Sequence, residues 1–217
     1  MRLPRSVVVA LFIVVPAVMR AVHFERSLVP MGALALFCGA HFRNRWLALA
    51  IPLASMLCGD VLIGVLYHDA AFTFHRLLPV VYGCYALNVL MGIGLKQYWD
   101  RLKTLHQSFH RGRGEAIEAS GEPERAAPSV LATRVVPIAG ATLGGALIFF
   151  LVTNFADWYL FNTYAKSWQG VLDCYVAAIP FFRRGTLLAD IIGSALLFGG
   201  DYLLQMHAAE QPVTERA

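Results

Sequence analysis

Four polar side chains lie inside long apolar runs of this sequence, where such groups could bind a ligand or do chemistry. They are Asp60, Asn88, Asn154 and Asp190. An ionisable group in hydrocarbon costs at least about 2.5 kcal/mol, so such residues normally face a partner or a water-filled cavity. We therefore take these four as the first candidates for a binding site. The alternative is that they only tie helices together by hydrogen bonds.

Two of these residues, Asp60 and Asp190, are carboxylates, and paired acids can divide the roles of general acid and general base. An intramembrane enzyme using this pair is therefore conceivable. However, the sequence contains no HExxH, GxSxG or Walker motif, so neither ATP hydrolysis nor a common hydrolase mechanism is predicted. We assign no catalytic residue and expect a protein that is not an enzyme.

The cysteines and histidines do not indicate a metal site. Cys38, Cys58, Cys84 and Cys174 show no CxxC spacing, and most of them fall in apolar runs, where cysteine is a small packing residue. The alternative is a soft ligand for a bound metal or cofactor, for which Cys84 is the best placed. The seven histidines also lack metal-ligand spacing. We predict no metal and no cofactor.

The elements that must position these residues are membrane helices. Of the 217 residues, 58% are hydrophobic and 15% are charged, against about 25% charged in soluble domains. A membrane-spanning helix needs about 20 apolar residues, and strand-type alternation is absent. We predict an all-α membrane protein, a six-helix bundle forming a single domain over 1–217. Its spans are 6–22, 29–42, 46–66, 77–95, 135–154 and 186–204.

Several segments are less regular than the others. The run 6–22 resembles a signal peptide, but Arg20 stands where small residues are needed, so we expect the helix to be retained. The run 29–42 is short, and is either a tilted span or a re-entrant helix buried by its neighbours. The segment 96–134 is predicted to be a basic cytoplasmic helix followed by a flexible linker. Residues 171–182 are too few to span and predict an interfacial helix in the last external loop.

Lysine and arginine fix the expected orientation, because cytoplasmic loops hold the excess of these residues. With the amino terminus inside, twelve of the 18 lie on the cytoplasmic side. We therefore expect a multi-pass protein of the inner, cytoplasmic membrane with both termini in the cytoplasm. Anionic lipid explains the net charge of +4. No nucleic-acid-binding motif accompanies the basic residues, so no nucleic-acid partner is predicted.

This topology brings candidate residues to one depth. With a rise of about 1.5 Å per residue, Asp60, Asn154 and Asp190 fall in the outer half, and Arg20 ends the first span there. Above them, the loop DWYLFNTYAKSWQG is rich in aromatic rings. It predicts either an interfacial aromatic belt or a lid over a flat organic ligand, with Asp157, Trp158 and Tyr164 in contact.

Small residues four apart also recur, as at Ala17 and Ala21 of the first span. Such pairs let helices approach closely. The default interpretation is packing inside the bundle, and the alternative is an exposed docking face on the first helix.

Longer motifs add a resemblance to a known group of proteins. The runs VPMGALALFCGAHFRNRWLALAIPLASMLCGDVLIG, LVTNFADW, CYVAAIPFFRRGTLLAD and ALLFGG resemble an uncharacterised bacterial integral membrane family. That family is itself similar to substrate-binding S-components of energy-coupling factor transporters. The resemblance covers nearly the whole chain except 96–134, an insertion that departs from the compact S-component pattern.

The resemblance implies a six-helix bundle that holds a vitamin-like molecule near its outer face. It also implies that Ala17 and Ala21 dock to a transmembrane coupling protein, and that Cys84 contacts cobalt if the ligand is a cobalamin.

The sequence thus leads to two functional hypotheses. The first is a substrate-binding or transport component in the lipid bilayer that captures a small molecule through the outer cluster. Its residues are Arg20, Asp60, Asn88, Asn154, Asp157, Trp158, Tyr164 and Asp190. The second is a structural or assembly membrane protein without a ligand, in which the same polar groups only lock helices together.

Overall fold

The computed structural model describes residues 5–22, 29–68, 74–120, 129 and 131–210, and these are helical with no strand among them. Within them the chain forms seven α-helices, α5 and α7 each being preceded by a π-helical turn. The α-helices are α1 Arg5–Val22, α2 Met31–His41, α3 Arg45–Leu66, α4 Leu78–Ser120, α5 Val136–Leu160, α6 Trp168–Phe181 and α7 Leu188–Glu210. The π-helical turns are Leu131–Val135 and Phe182–Leu187.

One end of the bundle, which we call the Trp99 end, brings together the end of α2, the middle of α4, the start of α5 and the last part of α7. The indole of Trp99, midway along α4, donates to the Thr133 carbonyl just before α5 (3.0 Å). His41 closes α2 beside Asp201 of α7 (3.0 Å). The predicted orientation places this end on the cytoplasmic side.

The opposite end, which we call the Arg20 end, collects the ends of α1 and α3 and the starts of α2 and α7. Arg20 binds Asp60 across α1 and α3, and Asp190 accepts a hydrogen bond from the Ala33 amide of α2. The helices α1, α2 and α3 therefore alternate in direction, as the predicted order of spans requires.

Among the residues that the structure describes, four helical stretches are long and apolar enough to cross a membrane. They are Arg45–Leu66, Leu78–Leu105, Ala132–Leu160 and Trp168–His207. Two apolar helices, Val7–Val22 and Met31–His41, are shorter, so the count of six crossings stays a prediction. Large apolar side chains on the outer faces, such as Val61, Leu151 and Leu196, are exposed, which is typical of helices that face lipid.

The short helix α2 lies inside the bundle. Its residues from Met31 to Ala40 are all buried, and the helix packs between α3, α4 and α7. Its 11 residues are too few to cross a bilayer, since a rise of about 1.5 Å per residue gives half the required length. Of the alternatives for 29–42, this arrangement fits a helix buried by its neighbours.

Two predicted spans are parts of longer helices. The helix α4 continues from the span predicted over 77–95 into the predicted basic helix and reaches Ser120, because no proline interrupts it. The span predicted over 135–154 belongs to a helical stretch that starts earlier, in the π-helical turn at Leu131, and continues to Leu160. Of the predicted linker, 121–128 and 130 lie outside the described residues.

The segment predicted as a separate interfacial helix is continuous with the last span. The helix α6 passes into α7 through the π-helical turn Phe182–Leu187 without a loop. Pro180 lacks a backbone N–H and would weaken a regular α-helix. The wider turn that follows it accommodates this break, as π-helical bulges commonly do.

Candidate functional site

At the Arg20 end, the guanidinium of Arg20 and the carboxylate of Asp60 form an ion pair. Nε and Nη2 lie 2.9 and 2.8 Å from the same oxygen, Oδ1. The Asp60 side chain is fully buried and that of Arg20 is 21% exposed. Gly59 makes room for the arginine, since a Cβ there would lie 2.8 Å from Cδ of Arg20. The hydroxyl of Tyr82 faces the same carboxylate.

Asp190 lies nearby but serves a different partner. Its Oδ1 accepts a hydrogen bond from the Ala33 amide (3.0 Å), and the Gly32 amide also faces the carboxylate. Pro30 offers α2 no side-chain cap, so Asp190 caps this helix from another element. Of the predicted site residues, Arg20 and Asp60 are therefore in direct contact, whereas Asp190 is held by the backbone of α2.

The two asparagines have other partners. The side-chain amide of Asn154 donates to the Phe150 carbonyl of its own helix (2.7 Å). Asn88 is buried against α5, where a Cβ on Gly145 would lie 2.0 Å from its Oδ1. Asn88 therefore packs α4 closely on α5, and the placement of Asn154 beside the two carboxylates stays a prediction.

The aromatic segment is partly helix rather than loop. Asp157 and Trp158 lie in the last turn of α5, and the connection to α6 is reduced to 161–167. Lys166 donates to the carbonyls of Trp158, Tyr159 and Phe161 and lies 5.2 Å from the ring centroid of Trp158. A cation at the carboxyl end of a helix stabilises its unpaired carbonyls.

The same segment is fixed at two further points. The Trp158 indole donates to the Ala165 carbonyl (2.8 Å), and the Cys174 thiol lies 3.9 Å from Oδ2 of Asp157. Tyr164 is half-buried. These contacts close the turn onto itself and hold it as a helix cap.

Cys84, Ala17 and Ala21 are buried packing residues. Cys84 is 3% exposed, and within the described residues no group of three His, Cys, Asp or Glu side chains could hold a metal. Ala17 and Ala21 are 4% and 2% exposed on a helix that packs along α3. This corrects the exposed-docking interpretation, since the alanine pair lies inside the bundle.

A cavity of about 520 Å³ opens at the Trp99 end, between α5 and α7. Its lining is largely apolar and comprises His41, Trp99, Arg134, Val135, Ile138, Ala139, Thr142, Leu143, Ile191, Ser194, Ala195, Phe198, Gly199, Asp201 and Tyr202. A second, more open groove of about 490 Å³ lies between α4 and α5. None of the predicted site residues, Cys84 included, lines either one.

Polar groups converge on one edge of the 520 Å³ cavity. His41 Nε2 lies 3.0 Å from Oδ2 of Asp201, which also accepts from the Gln205 amide at 2.6 Å. The guanidinium carbon of Arg134 lies 5.3 Å from the ring centroid of Trp99, within the range of a cation–π contact.

Sequence reasoning missed this second site. His41 and Asp201 each stand at the inner end of a predicted span, where a polar residue is expected to reach the membrane surface. The available signal was their common depth, the same argument that placed Arg20 beside Asp60. Trp99 and Arg134 fell in a segment interpreted as basic helix and linker.

Comparisons with known proteins give a family but no activity. No curated protein and no solved structure matches the chain, so the resemblance to S-components stays a prediction. One family model matches residues 2–212. The chain therefore belongs to DUF6580, a family of unknown function.

Proposed function

We propose that this chain is a multi-pass protein of the cytoplasmic membrane that binds a small molecule as part of a transport process. Both termini lie in the cytoplasm, and the protein carries out no chemical reaction of its own. The four long apolar helices support the membrane setting. The positions of lysine and arginine support the orientation.

The observation that carries the proposal is the 520 Å³ cavity with its polar edge. Ligand sites are typically pockets of about 300–1,000 Å³, lined by apolar and aromatic side chains with a few convergent polar groups. Trp99 and Phe198 supply aromatic surface, and His41, Asp201 and Arg134 supply the polar groups. The substrate site proposed here is therefore at the Trp99 end and not among the residues around Asp60.

A second candidate function is a ligand-free structural or assembly protein. It is favoured by the contacts at the Arg20 end, where Arg20 is engaged by Asp60 and Asp190 is engaged by the amides of α2. Under this alternative the 520 Å³ cavity binds no compound selectively. If the transport proposal holds, a transmembrane coupling partner must dock on a surface other than Ala17 and Ala21, since both are buried.

Two adjacent glycines of α7 allow a matched test. Gly199 lines the cavity and Gly200 does not, and a Cβ at either position meets nothing within 4 Å. Gly199→Phe should fill the cavity without a clash, whereas Gly200→Phe places the same ring on another helix face. Small molecules that copurify with each variant are identified by mass spectrometry. They are then added back in thermal-unfolding assays, together with a panel of vitamins and cobalamins.

We expect a compound that copurifies with wild type and Gly200→Phe, raises their melting temperature by mass action, and is lost in Gly199→Phe. A compound bound equally by both variants would place the site elsewhere. If no compound copurifies and none in the panel raises the melting temperature, the structural alternative stands.

A further inference from the structure

We infer that the 520 Å³ cavity binds an anionic amphiphile, that is, an apolar chain or ring system carrying a carboxylate or phosphate head. The inference rests on the proposed function and names its ligand class. The head lies at Arg134, and the apolar body lies between α5 and α7.

The cation at the cavity edge is available to a ligand. Within the part of the chain that the structure describes, Arg134 forms no ion pair. Its guanidinium lies over the Trp99 ring. This cation–π contact does not use the N–H groups of the guanidinium, which can therefore donate hydrogen bonds to a ligand. Guanidinium binds carboxylate and phosphate with two parallel hydrogen bonds.

The neighbouring Asp201 side chain is engaged by groups other than Arg134. Its Oδ2 lies 3.0 Å from Nε2 of His41 and accepts a hydrogen bond from the Gln205 side-chain amide at 2.6 Å. Within the described residues Asp201 forms no ion pair with Arg134. The guanidinium at the edge of the cavity can therefore receive an anionic group from a ligand.

The rest of the cavity selects for an apolar body. Its walls carry Ile138 and Leu143 from α5 and Ile191 and Ala195 from α7. Three lining residues carry a hydroxyl, namely Thr142, Ser194 and Tyr202. Those of Thr142 and Ser194 bond each other at 2.8 Å, so neither depends on a ligand. An inorganic anion would satisfy Arg134 but leave this surface unfilled, whereas an amphiphile fills both parts.

The position of Arg134 suits such a molecule. The candidate span Ala132–Leu160 begins just before it, so Arg134 lies at the level where the hydrocarbon meets the headgroups. The cavity extends from there along α5 to Leu143, deeper in the span. A head at the interface and a chain pointing inward is the arrangement that an amphiphile already has in a bilayer.

Trp99 provides the probe for a test, because it lines the cavity and bromine quenches tryptophan fluorescence on contact. Purified full-length protein in neutral detergent is titrated with 9,10-dibromostearate and with the matching dibromostearyl alcohol. Trp99→Phe is titrated in parallel, and the difference between the two proteins isolates the Trp99 signal from Trp46, Trp158 and Trp168. We expect saturable quenching of Trp99 by the acid at concentrations where the alcohol has little effect.

Arg134→Gln should raise the half-saturating acid concentration by about tenfold, since a charge-assisted bidentate contact is lost. Arg183→Gln is the control, because Arg183 is an exposed arginine next to α6 and does not line the cavity. The same variants in nanodiscs with brominated phosphatidylglycerol or brominated phosphatidylcholine distinguish the sources. Quenching of Trp99 by phosphatidylglycerol that depends on Arg134 identifies a bilayer lipid, and quenching by the free acid alone identifies a single-chain ligand.

Equal quenching by acid and alcohol, or equal affinity in Arg134→Gln and wild type, would overturn the assignment of an anionic ligand. The Gly199→Phe comparison is independent of this result. If it shows a neutral compound in the cavity, the ligand class proposed here is wrong while the binding function stands.

Discussion

Arg20 and Asp60 show how a buried charge is held in this bundle. Two of the three guanidinium nitrogens, Nε and Nη2, approach one oxygen of a carboxylate that has no exposed surface. Burying two charges is costly, so such a pair adds little net stability, but removing one partner leaves an uncompensated buried charge. The pair therefore acts as a lock between α1 and α3.

Replacing one partner should be far more damaging than replacing both. We expect Arg20→Met to lower the free energy of unfolding by about 3 kcal/mol, because Asp60 remains buried without its cation. The double variant Arg20→Met with Asp60→Leu should recover most of that loss. The free energies are measured by denaturant unfolding of detergent-purified protein.

The exposed pair of Lys96 and Asp100 is the control for that experiment. Their side chains are 40% and 57% exposed, so Lys96→Met should change the free energy of unfolding by less than about 0.5 kcal/mol. If Arg20→Met is as mild as this control, the pair with Asp60 does not lock the helices.

The partner of a residue could be predicted from the sequence only where the depth of that residue along its span determined which side chains lie beside it. Counting residues along two spans was enough to place Arg20 beside Asp60. The partner of Asp190 is a pair of backbone amides, and finding it requires knowing where α2 begins and that α7 passes that point. Apolar patterning supplies neither fact, because α2 is buried on all sides.

The packing of α2 on α4 depends on two glycines that face backbone. A Cβ on Gly92 would lie 2.1 Å from the Leu36 carbonyl oxygen, and one on Gly39 would lie 2.1 Å from that of Val89. These contacts are between main chains, so no side chain can turn away to relieve a clash. The two helices must separate if either glycine gains a methyl group.

Gly92→Ala should therefore lower the free energy of unfolding by about 1–3 kcal/mol, the usual cost of overpacking. Gly94→Ala is the matched control on the same helix, since a Cβ there meets nothing within 4 Å. It should be neutral or stabilising by up to about 1 kcal/mol, because alanine favours a helix over glycine. Thermal and denaturant unfolding of both variants provides the comparison. Equal stability of the two variants would show that the crossing is not tight.

Helix lengths were more predictable than helix ends. Hydropathy placed the cores of α3, α4, α5 and α7, because the bilayer requires about 20 apolar residues from each span. It could not place the ends, since helices continue past the hydrocarbon wherever nothing breaks them, as α4 does to Ser120. The turn between α6 and α7 was missed because Pro180 usually ends a helix, and here a wider turn absorbs it.

The two ends of the whole bundle differ in kind. At the Arg20 end, the polar side chains of Asp60 and Asp190 are engaged by other helices. At the Trp99 end, α5 and α7 separate around a cavity with a cation at its edge. Sequence reasoning found the first set because it searched for charges within spans. It did not find the cavity, because empty volume between helices has no signature in the sequence.

The side of the membrane that the cavity faces follows from the topology, which cysteine labelling can test. Gln107 lies on α4 beyond the Trp99 end, Gln169 lies at the start of α6 near the opposite end, and both are exposed. Cysteine is introduced at each position in a background where Cys58, the exposed native cysteine among the described residues, is replaced by serine.

With the termini in the cytoplasm, a membrane-impermeant maleimide should label Gln169→Cys in intact spheroplasts, whereas Gln107→Cys should react only after permeabilisation. The physical reason is the excess of lysine and arginine at the Trp99 end, which resists translocation. A ligand of the cavity would then enter or leave on the cytoplasmic side or from the inner leaflet. The reverse labelling pattern would show that the Trp99 end faces the outside of the cell. The same cavity would then capture its ligand from outside, the side on which the sequence predicted ligand binding.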